Sequence, residues 1–230
     1  MCNLYSDKIY KKIDSLKKNN KKVNELLEHL GKQGELLLLG GAIRDIIYDR
    51  TPRDYDFVVD TFDKELIISS SMFDLKRNSF NGYKITIDDM IFDIWALKDT
   101  WALKDKQNHI SKYDLERSCF FNMDSIIYDL RNKELLFENF ENGINNKVLD
   151  IIYSPNLYPD VCIIRAFVLK RIFNLSFSNR LKKYIQNWYF ENQNNYINNL
   201  YNAQIKHYKE IILNDNAIIN EFHLLPTASY

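Results

Sequence analysis

The sequence has few cysteines, no net charge and no hydrophobic run long enough to cross a bilayer. Its 3 cysteines are odd in number and widely spaced, which argues against a disulfide framework and against a Cys-x-x-Cys metal site. Basic and acidic residues each number 31, so any site for a polyanion must be a local patch. Residues 1–18 lack the apolar core of a signal peptide. We therefore expect a cytoplasmic protein with reduced thiols and no membrane contact.

Glycine and proline are also scarce, at 6 and 4 residues, which indicates an ordered chain rather than a linker-rich one. The 4 histidines are scattered without a His-Glu-x-x-His motif, and the chain has neither Gly-x-Ser-x-Gly nor a Gly-Lys-Ser/Thr phosphate loop. The chemistries that those motifs carry therefore have little support. At 230 residues and 46% apolar composition, the chain has room for one large domain or for a domain with a helical extension.

The most informative segment is residues 36–60, LLLLGGAIRDIIYDRTPRDYDFVVD. An apolar run ends in Gly40-Gly41, and a short helical pattern follows. A turn at Thr51-Pro52 then leads to a second apolar run at residues 57–59. This order predicts a strand, a glycine turn, a helix, a turn and a second strand.

Two aspartates, Asp54 and Asp56, lie two residues apart at the start of the second predicted strand. Residues at this spacing point to the same face of a strand, so the two carboxylates converge and repel unless a cation lies between them. Hard divalent cations such as Mg2+ bind carboxylate oxygens and usually keep substrate phosphates as further ligands. The pair Gly40-Gly41 lets backbone amides approach a polyphosphate at the start of a helix. A buried strand–turn–helix with two solvated surface aspartates is the plainer interpretation of the same residues.

The order Gly-Gly-x-x-Arg-Asp followed by Asp-x-Asp resembles the head domain of the poly(A) polymerase and tRNA nucleotidyltransferase (CCA-adding) family, within the DNA polymerase β-like superfamily. The residues that carry the resemblance are Gly40, Gly41, Arg44, Asp45, Asp54 and Asp56. The resemblance implies an α+β fold, in which a polymerase β-like nucleotidyltransferase head with a mixed sheet and flanking helices is followed by a helical C-terminal region. It covers residues 25–175 and becomes more divergent in its second half.

The domain division that we expect has three parts: residues 1–34 as an N-terminal helical segment packed on the head, residues 35–140 as the catalytic head, and residues 141–230 as a helical neck-like domain. Hydrophobic periodicity adds local predictions. They are helix over residues 5–30 with a break at Asn19-Asn20, a short strand or helix at 66–68, a turn at 79–83, strands at 83–87 and 90–95 around Asp88-Asp89, a hairpin around Arg131-Asn132, and helices over 160–174 and 178–213.

A third acid, Asp93, lies in the apolar strand pattern Phe92-Asp93-Ile94, where burying an unpaired carboxylate is costly. The resemblance implies that it completes the metal site. Asp54 and Asp56 would then bind the metal of the incoming nucleotide, and Asp93, with the same pair, would hold a second metal and help deprotonate the acceptor hydroxyl. An edge-strand acid or a structural salt bridge is the alternative for Asp93.

Downstream residues match the family only in part. The family's Arg-Arg-Asp-Phe-Thr-x-Asn, which helps hold the nucleotide's sugar and phosphates, is represented by Arg117 and Asn122, while Glu116 and Ser118 depart from it. Arg165-Ala166 matches the family's next Arg-Ala pair, and the resemblance implies that Arg165 is a further nucleotide contact.

Cys162 stands where the family has its base-reading arginine, and a thiol lacks the guanidinium's fork of donors, so programmed selection of C and then A is not expected. Arg44 has two open roles, a phosphate contact or an ion pair with Asp45 or Asp54.

The leading hypothesis is a metal-dependent nucleotidyltransferase that uses Mg2+, with Mn2+ as the alternative, to transfer a nucleotide from an NTP to an acceptor hydroxyl. A tRNA-like RNA 3′ end is the first acceptor by family analogy alone. Transfer to a small molecule or a protein hydroxyl is a second hypothesis, and a non-catalytic binding protein that keeps the fold is a third. The sequence leaves the oligomeric state open.

Overall fold

The computed structural model describes residues 2–63, 73–78, 82–106 and 109–225. The element predicted at residues 66–68 and most of the turn predicted at residues 79–83 lie outside this range. The chain divides into two compact units, Met1–Cys119 with Met123–Phe140, and Phe120–Asn122 with Glu141–Tyr230.

The first unit is built on a seven-stranded mixed sheet with the strand order β3-β4-β5-β2-β1-β6-β7. Its strands are β1 (Leu36–Leu39), β2 (Asp54–Val59), β3 (Leu75–Arg77), β4 (Tyr83–Ile87), β5 (Met90–Ala96), β6 (Ile127–Asp129) and β7 (Glu134–Leu136). The pairing of β2 with β5 is parallel, and the other neighbours in this sheet are antiparallel. Its helices are α1 (Cys2–Asn19), α2 (Lys21–Gly31), α3 (Gly41–Ile47) and α4 (Lys112–Arg117), with 3-10 turns at Leu97–Asp99 and Trp101–Leu103.

The helix break predicted at Asn19-Asn20 is present. The side chain of Asn20 accepts a hydrogen bond from the Val23 amide at 3.2 Å, which caps the start of α2. Asn is a favoured N-cap because its short side chain satisfies an amide that has no acceptor within the helix. The buried residues of α2 then recur at helical spacing: Val23, Leu26, Leu27 and Leu30.

Both predicted hairpins are also present. Strands β4 and β5 pair around the turn at Asp88-Asp89, and Asp88 has the positive φ of 50° that such tight turns require. Strands β6 and β7 pair around Arg131-Asn132, where the Asp129 carboxylate accepts hydrogen bonds from the backbone amides of both turn residues.

The second unit is mainly helical. Its elements are α5 (Glu138–Asn146, which begins in the first unit), β8 (Val148–Leu149), α6 (Pro159–Phe173), β9 (Ser176–Phe177), α7 (Asn179–Asn192), α8 (Tyr196–Tyr208) and α9 (Asp215–His223). Phe222 of α9 contacts the rings of Trp188, Tyr189 and Tyr196, so these three aromatics pack within the unit. The helix predicted over residues 178–213 is two helices, because the asparagine-rich stretch at 192–195 favours turn over continued helix.

No helix among the described residues combines the length and the apolar composition that a membrane crossing requires. Neither Cys119 nor Cys162 forms a disulfide in the described part of the chain.

Candidate active site on one face of the sheet

A single row of residues crosses the sheet of the first unit, one from each strand. Its members are Lys76, Lys84, Asp93, Asp56, Leu39, Ile127 and Leu136, in the order of the strands from β3 to β7. Residues that are register partners on neighbouring strands have side chains on the same face. This row, which we call the acid row, therefore changes from basic to acidic to apolar across one face of the sheet.

The three predicted acids share that face. Asp54 precedes Asp56 by two positions on β2, and Asp56 is the register partner of Asp93 on β5. The apolar end of the face belongs to a buried cluster that includes Val58 and Leu37. The acids are therefore bordered by apolar packing on one side, where charges are less well solvated than in open water.

Asp54 is paired with the residue before it. The Arg53 guanidinium donates from Nη2 and Nε to Asp54 Oδ2 at 2.8 and 3.0 Å. The Arg53 side chain is about half exposed and that of Asp54 a quarter exposed, so this pair lies at the solvent edge of the site.

Asp93 has two partners from the β3–β4 side of the sheet. Lys84 Nζ donates to Asp93 Oδ2 at 2.8 Å, and Asn78 Nδ2 donates to Asp93 Oδ1 at 3.1 Å. The Asp93 side chain is only 14% exposed. The salt bridge considered as the alternative for Asp93 is therefore present, although it does not exclude a role in metal binding.

Asp56 lies between these two acids, and its carboxylate shows no hydrogen bond or ion pair with any described residue. Burial, followed by the charges of Asp54 and Asp93, raises the pKa of the Asp56 carboxyl to about 8. Arg53 opposes this rise, and Asp124 adds to it. With all three carboxylates ionised, the site would hold more negative charge than Arg53 and Lys84 neutralise, and a bound cation would relieve that excess.

The donor chemistry fits a divalent metal ion, since three carboxylates converge on one face and hard cations prefer oxygen ligands. The side-chain geometry is not that of a formed metal site: no group of three or more His, Cys, Asp or Glu residues within the described ranges is arranged to hold an ion. Asp54 and Asp93 are instead bonded to Arg53 and Lys84. Metal binding would require these two carboxylates to exchange a cationic side chain for the ion.

The glycine turn follows β1, next to Asp56 in the sheet. Gly40 has a φ of 69°, a conformation that side chains rarely adopt, and its amide donates to the Ile126 carbonyl at 2.8 Å. Gly41 is the first residue of α3 and has no such φ, but a Cβ there would lie 3.3 Å from Arg44 Nη2. The two glycines therefore have different constraints, conformational at Gly40 and steric at Gly41.

Arg44 is buried and lies between two acids. Its Nη1 donates to Asp124 Oδ1 at 2.5 Å, and its Nε donates to Asp45 Oδ1 at 3.1 Å. Burial raises the pKa of the Asp45 carboxyl, and the charge of Arg44 opposes the rise. Of the ion pairs considered for Arg44, the one with Asp45 is present, whereas Asp54 pairs with Arg53.

Arg117 lies at the end of α4 and is exposed. The neighbouring Glu116, where the family has arginine, is buried and accepts hydrogen bonds from Ser125 Oγ and Asn139 Nδ2, each at 2.9 Å. Glu116 therefore stabilises the interior of the first unit, and Arg117 is the side chain that is accessible to a ligand.

Asn122 and Arg165 belong to the second unit. The Asn122 side chain donates to the Val148 carbonyl at 2.8 Å and accepts from the Asp150 amide at 3.0 Å, so its amide holds the chain around β8. The Arg165 guanidinium lies over the Phe121 ring, 5.6 Å from its centroid. The predicted nucleotide contacts of both residues stay predictions.

Lys84 and Asp124 are among the residues of the site that were not anticipated from the sequence. Lys84 contacts Asp93, and Asp124 contacts Arg44. The alternating pattern of β4 indicated a strand, but a lysine on the exposed face of a strand is common and gives no sign of its partner. Asp124 lies 80 residues from Arg44 in the chain, beyond the reach of any local pattern.

The first unit therefore has a mixed sheet with acids on one face and a glycine turn beside them, and the second unit is mainly helical. No family model matches the sequence, and a search of curated proteins finds no match. Solved structures do match, and several CCA-adding enzymes are among them.

Three of these structures illustrate the likeness. The apo form I of a CCA-adding enzyme is 18% identical, with a TM-score of 0.64 over 90% of this chain and 52% of its own. A CCA-adding enzyme in complex with ATP is 19% identical, with a TM-score of 0.62 over 88% of this chain and 51% of its own. The Thermotoga maritima CCA-adding enzyme complexed with tRNA is 18% identical, with a TM-score of 0.62 over 89% of this chain and 51% of its own.

At this identity the likeness establishes the fold, and the fold implied by the motif resemblance is confirmed. The chain spans about half the length of the solved structures it matches. Activity, substrates and partners are therefore matters for proposal.

Proposed function

We propose that this chain is a divalent-metal-dependent nucleotidyltransferase that transfers a nucleotide from an NTP to an acceptor hydroxyl, with release of pyrophosphate. The observation that carries the proposal is the convergence of Asp54, Asp56 and Asp93 on one face of the sheet, beside the turn at Gly40-Gly41. The raised pKa of Asp56 supports it, because an excess of negative charge at one point is costly unless a cation binds there.

In the proposed mechanism, Asp54 and Asp56 would bind the metal of the incoming nucleotide, and Asp93, with the same pair, would hold a second metal. Bound divalent ions would stabilise the attacking and leaving oxygens of an in-line displacement at the α-phosphorus. The carboxylates orient the acceptor hydroxyl and take part in removing its proton. Positioning and electrostatics carry most of the catalysis in phosphoryl transfer, so the chain needs no covalent nucleophile.

The start of α3 is the proposed position of the triphosphate. The first amides of a helix have no acceptor within the helix, and Gly41 leaves the backbone there uncovered by a side chain. Arg117, Asn122 and Arg165 are proposed as further nucleotide contacts, on the strength of the motif resemblance. Arg117 has the exposure that such a contact needs.

The proposed acceptor is an RNA 3′ end. CCA-adding enzymes with this fold have been solved with ATP and with tRNA, which supports NTP and RNA as the ligand classes for this chain as well. Base selection by the arginine rule of the family is not proposed, because Cys162 is buried and its thiol cannot present two donors to a base edge.

A second candidate acceptor is a small molecule or a protein hydroxyl, and the absence of net charge favours it. RNA binding through phosphate contacts weakens steeply as salt rises because counterions are released, whereas binding of a small neutral acceptor changes little. The salt dependence of acceptor binding therefore distinguishes the two.

The experiment that tests the proposal is a labelling assay. The purified protein is incubated with each radiolabelled NTP and Mg2+, together with cellular RNA, protein or metabolite fractions in separate reactions. Label that enters RNA in a Mg2+-dependent manner supports the proposal. Label in another fraction supports the second candidate, and no incorporation with either Mg2+ or Mn2+ would contradict both.

A further inference from the structure

Lys84 and Asp93 form the one direct contact between the basic and the acidic parts of the acid row that the described residues show. The distance from Lys84 Nζ to Asp93 Oδ2 is 2.8 Å, and their Cα atoms are register partners on β4 and β5. The side chains are 39% and 14% exposed, so the ammonium group lies at the edge of the site and the carboxylate within it.

The surrounding structure keeps this pair in place. Asn78 donates to the other Asp93 oxygen and also accepts a hydrogen bond from the Gly82 amide at 2.9 Å, so residues next to β3 and β4 are both linked to the acid. A Cβ at Gly82 would lie 2.8 Å from the Ile94 carbonyl, so the backbone approaches β5 closely there. Both oxygens of Asp93 already accept hydrogen bonds. A metal ion at Asp93 must therefore displace one of these donors or share a carboxylate oxygen with it.

We propose that Lys84 is an internal counter-ion that competes with a divalent metal ion for Asp93 and so lowers the affinity of the acid site for that ion. The inference rests on the proposed function, since it concerns the metal which that function needs. It assigns Lys84 a role that none of the motif residues has: Lys84 sets how much free metal, or how much nucleotide-bound metal, is required before the site is assembled.

The physical argument has two parts that act in the same direction. The ammonium group occupies an oxygen that the metal needs, and its charge repels a divalent ion a few ångströms away in a half-buried site. Replacing Lys84 by an uncharged side chain removes both effects. Metal affinity should therefore increase, by about tenfold or more.

The chain offers a matched control. Lys76 on β3 is the register partner of Lys84, carries the same charge on the same face, and pairs with the exposed Asp74 instead of with Asp93. A change at Lys76 alters the net charge of the sheet by the same amount without touching the acid site. Any difference between the two substitutions therefore reports on the contact with Asp93.

The experiment is a Mn2+ titration of the metal-free protein, followed by the electron paramagnetic resonance signal of free Mn2+, with no nucleotide and no acceptor present. The proteins are wild type, Lys84→Met, Lys84→Gln, Lys76→Met and Asp54→Asn. We expect Lys84→Met to bind Mn2+ about tenfold more tightly than wild type, Lys76→Met to match wild type, and Asp54→Asn to lose the bound ion. Lys84→Gln keeps a hydrogen-bond donor and serves as the second variant if the methionine variant does not fold.

The possible results separate this inference from the proposed function. If wild type binds Mn2+ and both Lys84 variants bind it equally well or more weakly, the counter-ion role is wrong while the metal site stands. If Lys76→Met tightens binding as much as Lys84→Met does, general charge and not the Asp93 contact is responsible, and the inference is again overturned. If neither wild type nor any Lys84 variant binds Mn2+, the metal site itself is wrong and the inference fails with it.

Discussion

Asp56 and Asp93 are register partners on β2 and β5, the one parallel pair of strands in the described part of the first sheet. Parallel neighbours need a crossover connection, and here the chain that separates them includes the β3–β4 pair. The register therefore depends on how a long connection packs, and it places the two carboxylates on one face. This relationship turns two separate acidic motifs into one candidate site.

Removing either acid of the Asp-x-Asp pair should abolish nucleotide transfer. Asp54→Asn and Asp56→Asn each keep the side-chain volume but remove a charge that binds metal, so we expect transfer to fall by about a thousandfold or more while the protein stays folded. Labelled-NTP incorporation and circular dichroism measure the two quantities. Near wild-type turnover in both variants would refute the assignment of metal ligands.

The pH dependence of stability should report the charge crowding at Asp56. Its pKa is raised from 3.8 to about 8 in the folded, metal-free chain, so between these values the folded state holds a proton that the unfolded state has lost. The stabilisation from this proton is complete below the unfolded pKa and is lost as pH rises through the folded pKa. The free energy of unfolding should therefore fall over this range in EDTA.

Urea unfolding at about pH 5 and about pH 9 measures this difference, with Asp56→Asn as the comparison. Between the two pH values, the free energy of unfolding should fall less in Asp56→Asn than in the wild type. Mg2+ should increase the stability of the wild type at the higher pH. An identical pH dependence in wild type and Asp56→Asn would contradict the assignment of the raised pKa.

The two glycines of the turn should respond differently to substitution. Gly40→Ala places a side chain at a φ of 69°, so we expect lower stability in the absence of any ligand. Gly41→Val has no such strain, but its Cβ would lie 3.3 Å from Arg44 Nη2 and would cover the first amides of α3. We therefore expect it to fold and to lose affinity for Mg-NTP.

Thermal melts with and without Mg-NTP separate these effects. Wild type should gain melting temperature with the ligand, and Gly41→Val should gain little. A full ligand-induced rise in Gly41→Val would count against binding of the triphosphate at this turn.

The buried ion pair of Arg44 with Asp124 should matter for stability. Both side chains are nearly inaccessible, at 11% and 12% exposure, so removing the Asp124 charge leaves the buried Arg44 guanidinium with less negative charge beside it, although Asp45 still pairs with it. Asp124→Asn should cost about 3 kcal/mol in the free energy of unfolding. The exposed pair Lys18–Asp14 is the control, and Lys18→Met should lower stability much less than Asp124→Asn does. Equal losses of stability in the two variants would mean that the buried pair stabilises the fold no more than the exposed pair does.

Local patterns were enough to predict several parts of this molecule. The convergence of Asp54 and Asp56 follows from the period of a strand, and the break before α2 follows from the capping chemistry of Asn20. The pairing of Arg44 with Asp45 could also be predicted, because the two residues are neighbours in the chain.

Local patterns could not predict the contacts between segments that are distant in the chain. The register of Asp93 with Asp56 depends on strand order, and the Arg44–Asp124 contact joins residues 80 apart. The contact of Lys84 with Asp93 follows from the register of β4 with β5, which the hairpin turn fixes but which the sequence does not state. The sequence therefore predicted which acids belong to the candidate site, and the tertiary structure shows which side chains contact them.

The last prediction concerns the choice of base. Cys162 is buried in α6 at 3% exposure, where the related motif would have an arginine that reads the incoming base. Discrimination by paired hydrogen bonds needs donors in a fixed geometry, and a thiol offers only one weak donor. We therefore expect the four NTPs to be used with similar efficiency, or with a preference unrelated to the order C, C, A. Single-nucleotide incorporation into a tRNA acceptor that lacks its 3′ end, analysed by denaturing gel, measures this directly. Ordered addition of two cytidines and one adenosine would refute the prediction, and it would mean that residues other than the one at position 162 read the base.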